Sequence, residues 1–321
     1  MRALLLGTAW LAACLLASAP AQDERVEFKL PVNWNAGDRW NLELTKERIQ
    51  NGRSAGKSVT PVEMKVVEKS EDGFVILWTY GRTVVEASAA GKEMLERTAN
   101  QELLERLTGL VDDLSLRIGT DAMGTPMRLL NQEEVAAALE KAKAALLEWL
   151  KGSGLPGRML DQVSRTIDGM WRPAYLSKSI LKEPGIFLLP SGGSFVVGEK
   201  KAYQDRIANP FGSEPFHSRA FFLLESIEPE PGRAKMIWRQ SFDREKSREV
   251  LEKTVADLMR RAGPGGQADI DLSGLSIEDS AAYVYELKTG LPLTVEHQRA
   301  VKIGARSRTD RLSFKRAAQS P

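Results

Sequence analysis

Cysteine is almost missing from this chain, and histidine is nearly as scarce. The 321 residues include one cysteine, Cys14, and two histidines, His217 and His297. Cys14 falls inside an apolar leader, so the chain beyond it has no thiol, no disulfide and no cysteine metal ligand. A histidine-rich metal site is excluded by number alone, and a serine–histidine triad has only two candidates for its base. An excess of one charge is lacking too: Arg2 aside, 44 basic residues face 43 acidic ones. Such a balance supplies no global field to draw in nucleic acid or an anionic membrane.

What is present first is an address. Arg2 precedes a segment, 3–17, broken only by Gly7 and Thr8 in its apolar character. Ala19-Pro20-Ala21 then places small residues at −3 and −1 of a cleavage site, before the polar Gln22-Asp23-Glu24-Arg25. The expectation is a secretory signal at 1–21, too short for a comfortable membrane span, cleaved after Ala21 to leave 300 residues in a bacterial periplasm or outside the cell. Leu11-Ala12-Ala13-Cys14 also resembles a lipoprotein lipobox, which would anchor the chain to a membrane through Cys14. Leu15-Leu16-Ala17 carries the apolar run past the cysteine and favours simple cleavage.

Motifs recur at a spacing near 160 residues. Leu30-Pro31 before Gly37 is answered by Leu189-Pro190 before Gly198, and Arg48-Ile49-Gln50-Asn51 by Arg206-Ile207-Ala208-Asn209. Val67-Glu68, Gly73 and Trp78 are answered by Ile227-Glu228, Gly232 and Trp238, and Gly124-Thr125-Pro126 by Gly290-Leu291-Pro292. Common order and narrow drift point to a duplicated module. Within each half, Trp40, Leu42 and Leu44 or Val62, Met64 and Val66 alternate with polar neighbours as half-buried strands do. Asn51-Gly52 is a hairpin turn. Helical periodicity follows at 92–107 and 244–261, and further strands at 114–118 and 283–287. Between the halves, Asn131 is expected to cap a helix to Lys151 with Leu139, Leu146, Leu147 and Leu150 as its apolar stripe; two more helices are expected at 158–170 and 175–181. The expected fold is α+β: two similar antiparallel sheets, each curved or a half-barrel with helices packed on it, at 22–130 and 186–321, around a helical insert at 131–185.

Several motifs imitate chemistry. The stretch 51–58 is glycine-rich like a phosphate loop, but three residues rather than four separate its glycines and it joins two strands, so it reads as a hairpin. Ser179-Ile180-Leu181-Lys182 with Lys288-Thr289-Gly290 resembles two elements of penicillin-binding enzymes, yet the middle Ser-x-Asn element is missing and Gly290 matches a turn glycine of the first half. Asp269-Ile270-Asp271-Leu272-Ser273-Gly274 begins like a calcium loop, but Ser280 stands where the bidentate acid belongs. His217 and His297 read as strand residues, and Asn209-Pro210-Phe211-Gly212 as a compact turn. The basic C-terminal segment, with Arg299, Lys302, Arg306, Arg308, Arg311, Lys315 and Arg316, reads as the solvated face of strands, anion binding being the lesser reading.

Gly37-Asp38-Arg39-Trp40, Gly73-Phe74-Val75, and Gly124 to Leu130 leading into the Asn131 helix resemble secreted bacterial proteins of unknown function built from a repeated antiparallel β module. More distantly the pattern is similar to lipoprotein-carrier half-barrels, which implies a concave apolar face able to hold acyl chains. No catalytic, cofactor or metal residue follows from either likeness. The leading expectation is a non-enzymatic periplasmic or envelope protein with an apolar groove lined by Phe74, Ile76, Trp78, Phe222, Leu224 and Trp238, its partner an acyl chain or an envelope protein rather than nucleic acid or nucleotide. A protein-interaction module docking through the insert's helices is the alternative, and a hydrolase using scattered carboxylates the third.

Overall fold

Alternation of apolar and polar side chains governs most of this chain, and a long antiparallel sheet is the result. A computed structural model describes residues 27–86, 114–152, 180–212, 214–262 and 272–317, together with 157 and 161. The expected helix at 92–107, most of those at 158–170 and 175–181, and the start of the calcium-like loop lie outside these residues. The strands are β1 (Glu27–Lys29), β2 (Arg39–Gln50), β3 (Arg53–Lys69), β4 (Phe74–Tyr80), β5 (Val84–Glu86), β6 (Ser115–Thr120), β7 (Pro126–Leu129), β8 (Ser194–Val196), β9 (Lys200–Ile207), β10 (Phe216–Glu228), β11 (Arg233–Phe242), β12 (Ser276–Glu286), β13 (Leu291–Ile303) and β14 (Arg306–Arg316). The helices are α1 (Gln132–Gly152), α2 (Lys182–Leu188) and α3 (Arg248–Ala262).

The described fold is therefore mostly β, a correction to the α+β expectation. The two expected sheets are also joined into one long sheet, beside a separate two-stranded sheet of β1 and β8. Twelve strands pair in the order β7-β6-β4-β3-β2-β14-β13-β12-β11-β10-β9, with β5 added beside β3. The join is the antiparallel pairing of β2 with β14, Leu44 opposite Phe314. It links strands about 260 residues apart, which no local pattern announces. Among the described residues the sheet stays open, with β7 and β9 as its edges. Each half is a meander with a long connection after its third strand, β4 in one and β11 in the other; in the second half that connection carries α3. Trp78 lies on β4 and Trp238 on β11, both buried.

One face of the sheet holds the core. Leu42, Leu44, Val62, Met64, Ile76, Trp78, Tyr283, Val295 and Phe314 belong to one cluster. The chain covers this cluster itself. The segment after β1 lays Leu30 and Trp34, both fully buried, over the strands, and α2 adds Phe187 and Leu188. Trp34 packs on Phe74 at 5.0 Å, and Trp78, Phe187 and Phe314 meet edge to face at 5.2–5.8 Å. A smaller cluster, with Ile207, Phe216, Ile277, Leu272 and Leu275, lies under Val250 of α3. In α1 the inward stripe is Val135, Leu139, Ala142 and Leu146. Asn131 departs from its expected role. Its side-chain oxygen accepts from the Arg117 amide at 2.8 Å, and its amide donates to the Ser115 carbonyl and to Glu134. It ties the helix start to β6 instead of capping the helix amides.

Candidate functional site

The six residues expected to line an apolar groove share the covered face, but they do not line an open groove there. Phe74, Ile76, Trp78, Leu224 and Trp238 are buried in the main cluster, and Phe222 packs against it half-buried. The physical reason is the cover just described: Trp34 occupies the space over Phe74 and Phe187 the space over Trp78. Trp238 donates from Nε1 to the Tyr203 hydroxyl at 2.8 Å, and Tyr203 stacks on Phe222.

The other motifs resolve as local structure. Asn51 and Gly52 adopt positive φ as the tip of the β2–β3 hairpin. Lys288-Thr289-Gly290 forms the β12–β13 turn, while Ser179 lies outside the described residues. Phe211 packs against the second cluster, and Asn209 hydrogen-bonds Thr254 of α3 at 2.9 Å. His217 serves its backbone, its amide donating to Ser247.

What sequence reading missed is a belt of charge on the covered face. Successive strands place Arg48, Asp310, Arg299, Asp279 and Gln240 directly opposite one another across β2, β14, β13, β12 and β11. Signs alternate from Arg48 to Asp279, so these cross-strand neighbours attract, and the neutral Gln240 ends the row. One register step toward the main core lies the row Lys46, Leu312, His297, Ala281 and Trp238. On the other side lie Val301 and Ile277 of the smaller cluster. The belt thus separates two apolar clusters on one face.

Its geometry is specific. Asp310 receives Arg48 Nε at 2.8 Å and an Arg308 guanidinium nitrogen at 2.7 Å. Burial pushes the Asp310 carboxyl upward, but the hydrogen bonds from Arg308 and Arg48 outweigh it and hold the group below the usual carboxylate range. Asp279 is buried, with Arg299 at 3.5 Å and His297 Nε2 at 3.9 Å. Burial raises its pKa against the pull of Arg299 and Lys182. Arg299 also donates to the Ala208 carbonyl. Burial first, then the Lys182 and Arg299 charges, press His297 down to about 4, so the imidazole is neutral at pH 7. It stacks on Trp238 with centroids 6.1 Å apart.

A pocket of about 400 Å³ opens over the β2–β14 end of this belt, beneath the start of α2. Six cationic side chains line it against three carboxylates. Lys46 pairs with Glu183 at 2.5 Å, and Glu183 also accepts from the Tyr80 hydroxyl at 3.0 Å. Arg311 pairs with Glu47 at 3.5 Å. On the opposite face of the sheet a groove of about 430 Å³ crosses β2, β14, β13, β12 and β11, with Thr45, Ser313, Ser280 and Ala282 among its lining. Short side chains at the middle of a curving sheet leave that hollow. Arg311 and Lys315 of the basic segment fall on this exposed face, whereas Arg299 and Arg308 fall on the belt side.

No protein-family model matches the chain, and no curated protein sequence matches it. Among the solved structures that align with the chain are two at low identity. One, titled for lipid–protein interactions in lipovitellin, aligns over 89% of this chain at 6% identity and a TM-score of 0.42; this chain spans only 26% of it. The other, a Bacteroides fragilis protein described as exported and with a YMCC-like fold, aligns over 91% of this chain and 100% of its own at 8% identity and a TM-score of 0.23. Neither score is high enough to assign a fold family. No described helix is long and apolar enough to cross a membrane.

Proposed function

We propose that this chain is an exported, non-enzymatic binding protein of the cell envelope, released from its leader after Ala21. Export rests on the leader sequence. The binding reading is carried by one observation: the polar pocket and the groove behind it both open to the surface, and the two groups on the belt beside them with the clearest shifts, Asp310 and His297, titrate away from neutrality. General acid–base catalysis needs a group whose pKa lies near the working pH. Asp310 is held ionised by two guanidiniums, and His297 is held neutral with a pKa of about 4. Such a surface recognises a partner better than it moves a proton.

The ligand-facing surface in this reading is the polar pocket and the groove behind it. An acyl chain on the six apolar residues would first have to lift Trp34 and α2. We further propose that the two halves arose by duplication, in line with their common meander and the matching strands of Trp78 and Trp238. Native mass spectrometry of protein taken from its own envelope tests the function. A chain beginning at Gln22 and carrying a small ligand that is lost in denaturing solvent is the expected result. Diacylglycerol on Cys14 would overturn the cleavage reading. A bare chain that hydrolyses ester or glycoside substrates with saturation would overturn the binding reading.

A further inference from the structure

We infer that the pocket above the charged belt is a binding site for a phosphate-bearing anion, with Lys182, Arg48 and Arg308 as its recognition groups. The inference rests on the binding reading and adds the ligand's chemistry. The fold leaves charge around this pocket unbalanced. Lys46 is matched by Glu183, Arg311 by Glu47, and Arg299 by the buried Asp279. Two guanidiniums, Arg48 and Arg308, share the single carboxylate of Asp310. Among the described residues, the Lys182 ammonium has neither a hydrogen bond nor an ion pair. With the His297 imidazole neutral, two positive charges remain over.

Their placement matters as much as their number. They line one pocket on the covered side of the sheet, and the Arg48 and Arg308 side chains are 51% and 47% exposed, so an incoming anion can reach both guanidiniums. An anion would neutralise the surplus and complete their pairing. Guanidinium groups present planar forks suited to the tetrahedral oxygens of a phosphate, and a lysine adds a mobile point charge. The pocket also has room. Opposite Arg48 the sheet carries Gly56, where an added Cβ would meet nothing within 4 Å. At about 400 Å³ the space suits a phosphate with part of an attached ester group. The same chemistry is offered by free phosphate and by a phospholipid headgroup.

Isothermal titration of the mature chain with inorganic phosphate, and separately with monomeric dihexanoyl phosphatidic acid, tests the site and distinguishes the sources. One saturable site is expected. Tighter binding of the phosphatidic acid would identify a lipid headgroup as the natural source, and equal binding a free phosphate. Lys182→Ala and Arg308→Ala should each weaken binding roughly tenfold or more, the loss of one charge-assisted hydrogen bond. Arg233→Ala removes the same charge from an exposed strand end and should change little. Matching circular-dichroism melts for Lys182→Ala and the unmodified chain would show that its fold is kept. No saturation with either probe, or an equal loss in Arg233→Ala, would overturn the inference. If both probes fail while an uncharged ligand stays bound in native mass spectra, the anion site is wrong and the binding reading stands.

Discussion

Replacing Gly290 by alanine should damage this protein far more than the same change at Gly37, although both glycines have positive φ. Gly290 has φ +72° in the β12–β13 turn, and Gly37 has φ +95° before β2. An L-residue in this region costs about 1–2 kcal/mol, and both variants incur that cost. The surroundings then separate them. A Cβ at Gly37 would meet nothing within 4 Å, whereas at Gly290 it would fall 1.7 Å from the Pro31 carbonyl oxygen and 2.6 Å from its carbon. Backbone cannot rotate out of the way as a side chain can. Pro31 belongs to the segment that covers the core, docked by Asn33, whose amide donates to the Thr289 carbonyl at 3.1 Å and whose side chain donates to the Lys288 carbonyl at 3.0 Å. Moving that segment loosens Leu30 and Trp34, both fully buried. Exposing either side chain costs about 1.5–3 kcal/mol. Partial loosening of the two gives an expected total of about 4 kcal/mol for Gly290→Ala, against about 1–2 kcal/mol for Gly37→Ala. Urea unfolding followed by circular dichroism measures the difference, and hydrogen exchange at the Leu30 and Asn33 amides reports whether the segment has lifted. Equal stabilities for the two variants, with Asn33 still protected, would refute the steric reasoning. They would also reopen the Lys-Thr-Gly turn to explanations other than close approach.

His297 should titrate near pH 4 by imidazole proton resonances. Its folded pKa lies below its ordinary value of 6.5, so its contribution to stability is complete above about pH 6.5 and is lost as pH falls toward 4, a swing of about 3 kcal/mol. Asp279, with its pKa raised by burial, works in the opposite direction at the acid end; the comparison is therefore with His297→Asn, whose stability should be flatter across this window, and an equal slope in both chains would remove His297 as the cause. Trp78→Ala and Trp238→Ala should each cost about 3–5 kcal/mol in urea unfolding. Trp238 is slightly more exposed and donates to Tyr203; a loss under about 1 kcal/mol at either position would show that its site collapses around the gap.

Strand chemistry was legible wherever one face is apolar and the other polar. Trp40, Leu42 and Leu44 announce β2, and Val62, Met64 and Val66 announce β3; the Asn51-Gly52 turn joins them as expected. Strand length was not legible. β2 runs on through Lys46 and Arg48, and β3 begins back at Arg53, because the covered-face positions there exchange apolar side chains for Lys46 and Arg48 on β2 and for Thr60, Ser58 and Gly56 on β3. The single continuous sheet was hidden for another reason. Its halves meet through β2 and β14, near opposite ends of the chain, and sequence periodicity is silent about such pairing. The cover over the expected groove residues was hidden for a third reason: Leu30 and Trp34 look like a short lead-in, and nothing local says that they fold back to fill the space above Phe74 and its neighbours.

The belt did leave a trace. Ile277, Asp279, Ala281 and Tyr283 share one face of β12, as Val295, His297, Arg299 and Val301 share one face of β13. A charge in the apolar register of two consecutive strands is costly unless another strand answers it. Asp279 and Arg299 answer one another across the β12–β13 pair, and on the next strand Asp310 answers Arg299. Counting basic residues along the C-terminal segment blurred this, since Arg308 and Arg311 are close in sequence yet point to opposite faces of β14. Sorting the same residues by parity separates an outer-face row from the belt, in which Asp279 and Arg299 are buried while Arg48 and Arg308 stay half-exposed. In the belt Arg48 and Arg308 converge on the one carboxylate of Asp310. Water solvates these half-exposed guanidiniums, so the fold tolerates the surplus without a ligand. The same exposure leaves both forks open to an anion, which would complete the pairing that one carboxylate leaves unfinished.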